Sequence, residues 1–282
     1  MSPAQVMAKR VFDTGPFGYR PDPPKETGER ADFNFKTQLQ PKLASVHSGD
    51  VDLRKHTTSS SQYRAGSCAG NATADSIEVL NSIEGRPHRE LSRMFVYTLA
   101  RNFMDEDMDG RSDINRDEGT YLRLCFEVLS KFGICEESLW PYELDAFGKP
   151  KNLYKLPSLK AMRRATGHKI HSYYRIDERG SDRLDAILAA LRANHPVVFG
   201  TLVDKDFTRM RDIGPVDHPD ESLTVGGHAM IVVGYLTGLG FIVKNSWGER
   251  WGEDGFCAMK PSYLAWKRTR DIWVPTRGRS FK

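Results

Sequence analysis

The sequence has few cysteines, no long apolar run and little net charge. Its 282 residues include four cysteines, with no CxxC pair and no cysteine and histidine spacing typical of zinc sites, so we expect neither a metal nor another cofactor. No segment is long enough to span a bilayer. The formal charge is only +4 and the basic residues are dispersed. These absences argue against nucleic-acid and membrane partners.

The first 50 residues also lack apolar periodicity. They are rich in proline, which predicts an extended N-terminal arm, residues 1–50, rather than a domain. The stretch from Met1 to Phe17 has no apolar region of the kind found in secretory signals. We therefore expect a cytoplasmic protein or one exported by a non-classical route.

The rest of the chain changes from a helical to a strand-like pattern. Helical spacing marks residues 91–101 and 121–132, within a predicted helical lobe at 51–157. Extended segments at 169–176 and 196–203, with a helix at 182–193 between them, begin a predicted β-rich lobe at 158–282. Because helix and strand are segregated, the sequence predicts an α+β fold whose two lobes face each other across a cleft.

One cysteine lies where a glycine-bearing loop gives way to a helix. Cys68 follows Ser67, which we expect to cap that helix, and Gly85 is expected to end it. A helix start favours the thiolate form of a cysteine, the form that attacks carbonyl carbon. A lone cysteine in this position is more often an inert core residue, so other motifs must decide.

Two later motifs supply that decision. Residues 226–235 read GGHAMIVVGY and place His228 at the start of an apolar strand, and residues 241–252 read FIVKNSWGERWG and place Asn245 at the end of the next. In the order Cys, His, Asn, these motifs resemble the papain family of cysteine peptidases, in its bacterial branch. The resemblance runs from about Val51 to the C-terminal tryptophans, and Gln62 stands six positions before Cys68, as the oxyanion-hole glutamine does in that family.

The resemblance implies a papain-like fold with a helical left lobe and a β-barrel-like right lobe. It implies a cysteine endopeptidase in which Cys68 forms a thioester, His228 pairs with it as a charged acid and base, Asn245 orients the imidazole and Gln62 stabilises the oxyanion. Substrate-binding positions are expected at Gly119, Val197, Ala229 and Trp247. The expected partners are protein or peptide substrates, and we expect a monomer.

The N-terminal arm occupies the place of a propeptide in the family, which implies a zymogen. We predict that residues 12–19 cross the cleft and restrain activity. Tyr63 and Ala69 depart from the family pattern, where a glycine and a bulky aromatic residue are usual. Ala65 stands where secretory relatives carry a disulfide cysteine, which suits a reducing compartment, although a bridge between Cys125 and Cys135 stays open.

Three alternatives remain at this point. The same Cys and His pair could deamidate or cross-link glutamine side chains, as in a transglutaminase-like enzyme. The fold could also be a non-catalytic binding module whose cleft is filled by the arm. Finally, residues 105–110 imitate half of a calcium loop, but Arg116 stands where a bidentate glutamate is needed, so we interpret them as a solvated acidic loop.

Overall fold

The computed structural model describes residues 17–23, 32–43, 49–104 and 113–277 of the chain. The predicted acidic loop and the arm residues before Phe17 lie outside these ranges. Within them, no helix is both long and apolar enough to cross a membrane.

Helices dominate the first half of the described chain. The α-helices are α1 (Cys68–Ile83), α2 (Arg93–Asn102), α3 (Leu122–Lys131), α4 (Leu159–Ala165), α5 (Gly180–Arg192), α6 (Lys205–Thr208) and α7 (Pro261–Ala265). A π-helix covers Phe35–Leu39, and short 3₁₀ turns cover Gln40–Lys42, Arg54–His56, Asp113–Asn115, Glu137–Leu139, Thr166–His168 and Glu221–Leu223.

The strands form one large sheet and one small one. They are β1 (Tyr19–Arg20), β2 (Val51–Asp52), β3 (Thr120–Tyr121), β4 (Ser172–Ile176), β5 (Val197–Asp204), β6 (Thr224–Leu236), β7 (Gly240–Lys244), β8 (Phe256–Met259) and β9 (Arg270–Thr276). The large sheet has the order β4-β9-β5-β6-β7-β8, with β2 added to β6, and all its pairs are antiparallel. The small sheet pairs β1 with β3 in parallel.

The predicted helices at 91–101, 121–132 and 182–193 are confirmed within two residues at each end. The α+β class is confirmed as well. The expected barrel is not closed, since β4 and β8, at the two ends of the described sheet path, do not pair with each other. The C-terminal tail contributes β9, which lies between β4 and β5 in this sheet.

The first turn of α1 differs from the prediction. The Ser67 side chain does not cap the helix. Its hydroxyl lies 2.7 Å from the Tyr142 hydroxyl and accepts a hydrogen bond from the Asn71 amide. The Ser67 hydroxyl therefore bonds to the side chains of Tyr142 and Asn71, which fix the loop before Cys68. It leaves the first backbone N–H groups of α1 uncapped by its side chain.

A buried charge cluster joins α1 to the sheet. Asp75 of α1 pairs with Arg93 at 2.8 Å and with Lys244 at the end of β7, and all three side chains are almost fully buried. Burial opposes ionisation of Asp75, but the charges of Lys244 and Arg93 outweigh it and lower its pKa. Lys244 immediately precedes Asn245, so this cluster fixes the end of β7 against the cysteine helix.

Candidate active site

Cys68 lies at the first position of α1 with its side chain fully buried. Gly70 follows it in the same turn, and a Cβ atom there would come within 2.9 Å of α2. This close helix contact fixes the direction of α1. The sulfur has backbone hydrogen bonds with Ala229 of β6, which places it beside the residue that follows His228.

His228 lies in β6, and Asn245 directly follows the adjacent strand β7. The His228 Nε2 atom is 2.7 Å from the Asn245 Oδ1 atom, and both side chains are buried. The Ser246 backbone N–H also donates to this Oδ1, so the carboxamide oxygen is held in place from two sides. Because Nε2 is engaged by Asn245, Nδ1 is the ring nitrogen that can exchange a proton with a thiol.

An aromatic group covers the hydrogen bond between His228 and Asn245. The Trp247 ring lies 4.4 Å from the His228 ring, centroid to centroid, at an angle of 30°. Phe207 and Trp251 pack edge-on against Trp247 at 5.8 Å and 5.5 Å. This packing keeps water from the imidazole and carboxamide.

Gln62 is fully buried and firmly held. Its Oε1 atom accepts a hydrogen bond of 2.6 Å from the Ser246 hydroxyl, and its Nε2 atom donates to the Ala65 carbonyl at 2.9 Å. Its backbone N–H donates to the Ser246 carbonyl. The glutamine of the cysteine loop is therefore fastened to the residue after Asn245, which couples the two walls of the site.

The arm lies over this site. Phe17 packs edge-on against Trp247 at 6.1 Å and against His228 at 6.3 Å. At Gly18, an added Cβ would lie 1.6 Å from the Gly66 carbonyl oxygen, so only glycine fits between the arm and the cysteine loop. The Gly18 carbonyl accepts a hydrogen bond from the Thr120 N–H. Of the stretch 12–19 that was predicted to cross the cleft, residues 17–19 lie over the site, and residues 12–16 lie outside the described residues.

Burial and hydrogen bonding shift the pKa of the Cys68 thiol in opposite directions. Burial raises the pKa of Cys68 to about 11, while backbone hydrogen bonds with Ala229 and Gly18 act in the opposite direction. Burial in this arrangement therefore disfavours the thiolate that the sequence predicts, whereas the Gly18 hydrogen bond favours it. The physical cause is the loss of water around the sulfur.

The four expected substrate-binding positions occupy different places. Gly119, Ala229 and Trp247 all lie against the arm or the thiol, and a Cβ at Gly119 would reach within 2.1 Å of the Gly18 oxygen. Val197 is fully buried at the start of β5, opposite Val232. Its neighbour three residues along, Gly200, is the β5 residue that faces the arm.

Several residues at the site were not found by sequence reasoning. Tyr19 lies in a pocket beside the thiol, formed at Gly200 and Gly227, and its hydroxyl donates to Asp271 at 2.6 Å. The four described cysteines are free and buried, so the open Cys125–Cys135 bridge is absent. For the buried Asp75 cluster the sequence did offer a signal. Lys244 is a charged residue within an apolar strand, so it needed a buried partner of opposite charge.

Comparison with known proteins agrees with this geometry. The model of the papain family of cysteine proteases matches residues 48–267. An uncharacterized peptidase C1-like protein of Acanthamoeba polyphaga mimivirus is 30% identical over 258 residues, 86% of this chain and 78% of that protein. A cathepsin L-like proteinase of Fasciola hepatica is 30% identical over 156 residues, 54% of this chain and 44% of that protein.

Solved structures give the same result. Xylellain, a cysteine protease from Xylella fastidiosa, is 30% identical with a TM-score of 0.77, over 94% of this chain and 97% of that one. Bromelain from Ananas comosus, in complex with E64, shares the fold at 21% identity and a TM-score of 0.63, over 82% of this chain and all of that one. Neither the glutamine-modifying nor the non-catalytic alternative is favoured by these matches. The chain belongs to the papain family of cysteine proteases.

Proposed function

We propose that Cys68, His228, Asn245 and Gln62 hydrolyse peptide bonds and that the N-terminal arm holds the enzyme latent. The observation that carries the proposal is the hydrogen-bonded His228 and Asn245 pair beside an enclosed Cys68, with Gly18 of the arm against the sulfur.

Catalysis starts when the Cys68 thiolate attacks a peptide carbonyl carbon. A carbon–sulfur bond forms, and the carbonyl electron pair moves to oxygen. The Cys68 backbone N–H and the Gln62 amide N–H can stabilise that oxyanion. Gln62 is suited to this role because Ser246 and Ala65 hold its side chain rigidly, so little reorganisation is needed.

His228 then moves two protons in sequence. The imidazolium gives its proton to the departing amine, the carbon–nitrogen bond breaks and a thioester remains on Cys68. Water next attacks the thioester while His228 takes a proton from it, which releases the acid and returns the thiol. Asn245 fixes the ring orientation during both transfers because its oxygen accepts from Nε2.

The direction of the arm explains why it is not a substrate. Since His228 protonates the leaving amine, the leaving half of a substrate lies on the Trp247 side, and the acyl half lies on the opposite side. The arm places Phe17 on the Trp247 side and Tyr19 on the acyl side. Its chain therefore runs opposite to that of a substrate and presents the Gly18 backbone without a cleavable bond in the productive orientation.

Latency follows from position and from protonation. The arm fills the space that a substrate backbone needs, and the burial of Cys68 in this arrangement raises the pKa of the thiol. A tethered segment acts at a high effective concentration, of order millimolar for short linkers. A freely diffusing substrate must compete with it at every encounter.

The test uses the full chain with Gly18→Ala. An added Cβ at position 18 collides with the Gly66 carbonyl, so the arm cannot keep its pose. The matched control is Gly49→Ala, where a Cβ meets nothing within 4 Å. We expect Gly18→Ala to raise kcat/KM on a peptide pool by at least about tenfold and Gly49→Ala to match the wild type.

A second pair of variants tests the chemistry. Cys68→Ala in the Gly18→Ala chain should abolish turnover with an unchanged melting temperature. New amino termini in the products identify hydrolysis of the backbone, whereas ammonia release would identify deamidation. Equal activity of Gly18→Ala and wild type would refute the restraint, and turnover without Cys68 would refute the nucleophile.

A further inference from the structure

The Tyr19 side chain fills a pocket made by two glycines. A Cβ at Gly200 would lie 2.0 Å from the Tyr19 ring, and a Cβ at Gly227 would lie 2.5 Å from the Tyr19 carbonyl oxygen. Tyr19 itself is only 6% exposed. A side chain at either glycine would close this space, which we call the tyrosine pocket (Gly200, Gly227 and Asp271).

A carboxylate forms the base of the tyrosine pocket. The Tyr19 hydroxyl donates to Asp271 Oδ2 at 2.6 Å, and the Asp22 backbone N–H donates to the same oxygen at 2.8 Å. Arg175 pairs with the other oxygen, Oδ1, at 3.0 Å. Burial, followed by the neighbouring Asp271 charge, raises the pKa of Tyr19 far above its ordinary value, so the hydroxyl keeps its proton and donates.

The backbone is shaped to aim Asp271 at this pocket. Asp271 has a φ of 50°, a left-handed conformation that costs energy for residues other than glycine. The pairing of β5 with β9 is irregular there, because Val198 faces Trp273 and Gly200 faces Arg270. Such bulges redirect a side chain. The buried acceptor is therefore held in place by the sheet and not by the arm alone.

The pocket lies next to the reacting position. Gly18 is against the sulfur and Tyr19 is its neighbour on the acyl side. When the arm leaves, Asp271 Oδ2 loses both of its donors, while Arg175 stays on Oδ1. The side chain that a substrate places there, one residue before the attacked residue, meets a carboxylate oxygen that has lost two hydrogen-bond donors.

We propose that the tyrosine pocket selects substrates with tyrosine at this position, and that Asp271 is the residue that recognises the hydroxyl. The proposal rests on the proposed function, since it requires that the arm leave and that Cys68 react. A phenylalanine would fill the same space but leave the Asp271 oxygen unsatisfied. Sites built to bind a substrate hydroxyl discriminate strongly against the analogue that lacks it.

Charge argues against a basic side chain in the same place. Arg175 already neutralises Asp271, and Arg123 lies on the same side, over the Trp273 ring at 6.0 Å. Departure of the arm removes the Asp22 carboxylate, which lies 3.9 Å from Arg175. The arm's Asp32, which pairs with both arginines, leaves as well, and Asp177 stays 2.9 Å from Arg175. A substrate lysine or arginine would therefore meet two guanidinium groups and two carboxylates already paired with Arg175, with no net attraction.

The experiment compares peptides that differ only at this position, with tyrosine, phenylalanine or lysine, using full-length Gly18→Ala protein. We expect kcat/KM for the tyrosine peptide to exceed that for phenylalanine by at least about tenfold, with lysine lower still. Asp271→Gly removes the carboxylate and suits the positive φ. It should lower kcat/KM for the tyrosine peptide far more than for the phenylalanine peptide.

The matched control is Asp254→Gly, which changes an exposed aspartate with a φ of 53° and should leave all three rates unchanged. Equal cleavage of the tyrosine and phenylalanine peptides, or a preference for lysine, would overturn the proposal while leaving the peptidase function intact.

If the Gly18→Ala chain cleaves none of the three peptides, the catalytic proposal fails and the pocket is judged by binding. Calorimetry with the Gly18→Ala, Cys68→Ala chain then compares a peptide of residues 17–23 with its Tyr19→Phe form. About tenfold weaker binding of the phenylalanine form supports the pocket, and equal binding refutes it.

Discussion

Asp75 and Asp22 are both buried carboxylates, but their surroundings shift their pKa values in opposite directions. Asp75 has two cations in direct contact, Arg93 and Lys244, and its pKa is lowered. Asp22, in the arm, accepts from the Arg123 N–H and the Trp273 indole. Burial and the nearby Asp271 carboxylate raise the pKa of Asp22 to about 7.

The Asp75 cluster is a permanent contact of the fold, whereas the Asp22 contact of the arm can be released. Asp75 keeps its charge in the folded chain, so its cluster fastens the cysteine helix to the sheet at all ordinary pH values. The docked arm favours the protonated form of Asp22, because the Asp271 carboxylate lies close to it while Arg175 is 3.9 Å away. The Asp22 contact that holds the arm therefore depends on pH, whereas the Asp75 contact that joins α1 to the sheet does not.

The largest expected effect comes from removing one charge of the Asp75 cluster. Lys244→Met leaves Asp75 with one of its two cations in a buried site, so we expect a loss of about 3–5 kcal/mol in the free energy of unfolding, measured by urea denaturation. Asp75→Leu added to Lys244→Met should recover part of that loss, because Arg93 keeps Glu78 as a partner.

The control for this prediction is Lys260→Met. Lys260 is half exposed and pairs with Asp217 at 3.5 Å, so its removal should cost less than about 1 kcal/mol. Equal effects of the two lysine substitutions would show that the buried cluster does not have the role assigned to it.

The next effect is a pH dependence of arm docking. The pKa of Asp22 is about 7 when docked and about 3.9 when free, so docking takes up a proton. Docking is therefore strongest below about pH 4, weakens as the pH rises toward 7, and is constant above that. The charged groups facing Asp22 are Asp271, Arg123 and Arg175.

The measurement is wild-type activity divided by Gly18→Ala activity across this pH range, which cancels the pH profile of the chemistry. We expect the ratio to rise by at least about tenfold from pH 4 to pH 8. Asp22→Asn should flatten it and keep the chain latent at pH 8, whereas Asp50→Asn, at an exposed carboxylate, should not alter it. A ratio that falls with pH would contradict the sign.

The smallest effect is expected at the surface of the arm. Arg20 pairs with Glu118 at 3.1 Å, and the Glu118 side chain is 61% exposed. Exposed pairs contribute less than about 1 kcal/mol, so Glu118→Gln should change the activity ratio by less than about fivefold. A larger change than that caused by Asp22→Asn would reverse the ranking of the two contacts.

Sequence reasoning reached the parts of the site that local patterns encode. The helix that starts at Cys68 and the apolar strands beside His228 and Asn245 follow from local spacing and periodicity. The choice of Gln62, His228 and Asn245 as site residues came from the resemblance to the family. The structure brings these four residues to one place, and their catalytic roles stay proposals.

The features that were missed depend on contacts between distant segments. Tyr19 and Asp271 are 252 positions apart, and their contact requires both the reversed arm and an irregular strand pairing that no local pattern reports. Ser67 was wrongly expected to cap α1 because the competing hydroxyl of Tyr142 lies 75 positions away. The contact of Gly200 with the arm was missed for the same reason, since strand register decides which residue faces the arm, and Val197 stays a prediction.

Gly18, which lets the arm pass over the sulfur, also affects how the protein reacts with oxidants. Stepwise conversion of a cysteine to sulfenic and sulfinic acids requires an accessible thiolate, and Cys68 is fully buried beneath Gly18 with a raised pKa. We therefore expect peroxide to spare the latent chain and to inactivate the Gly18→Ala chain. Latency in this protein preserves the nucleophile as well as silencing it.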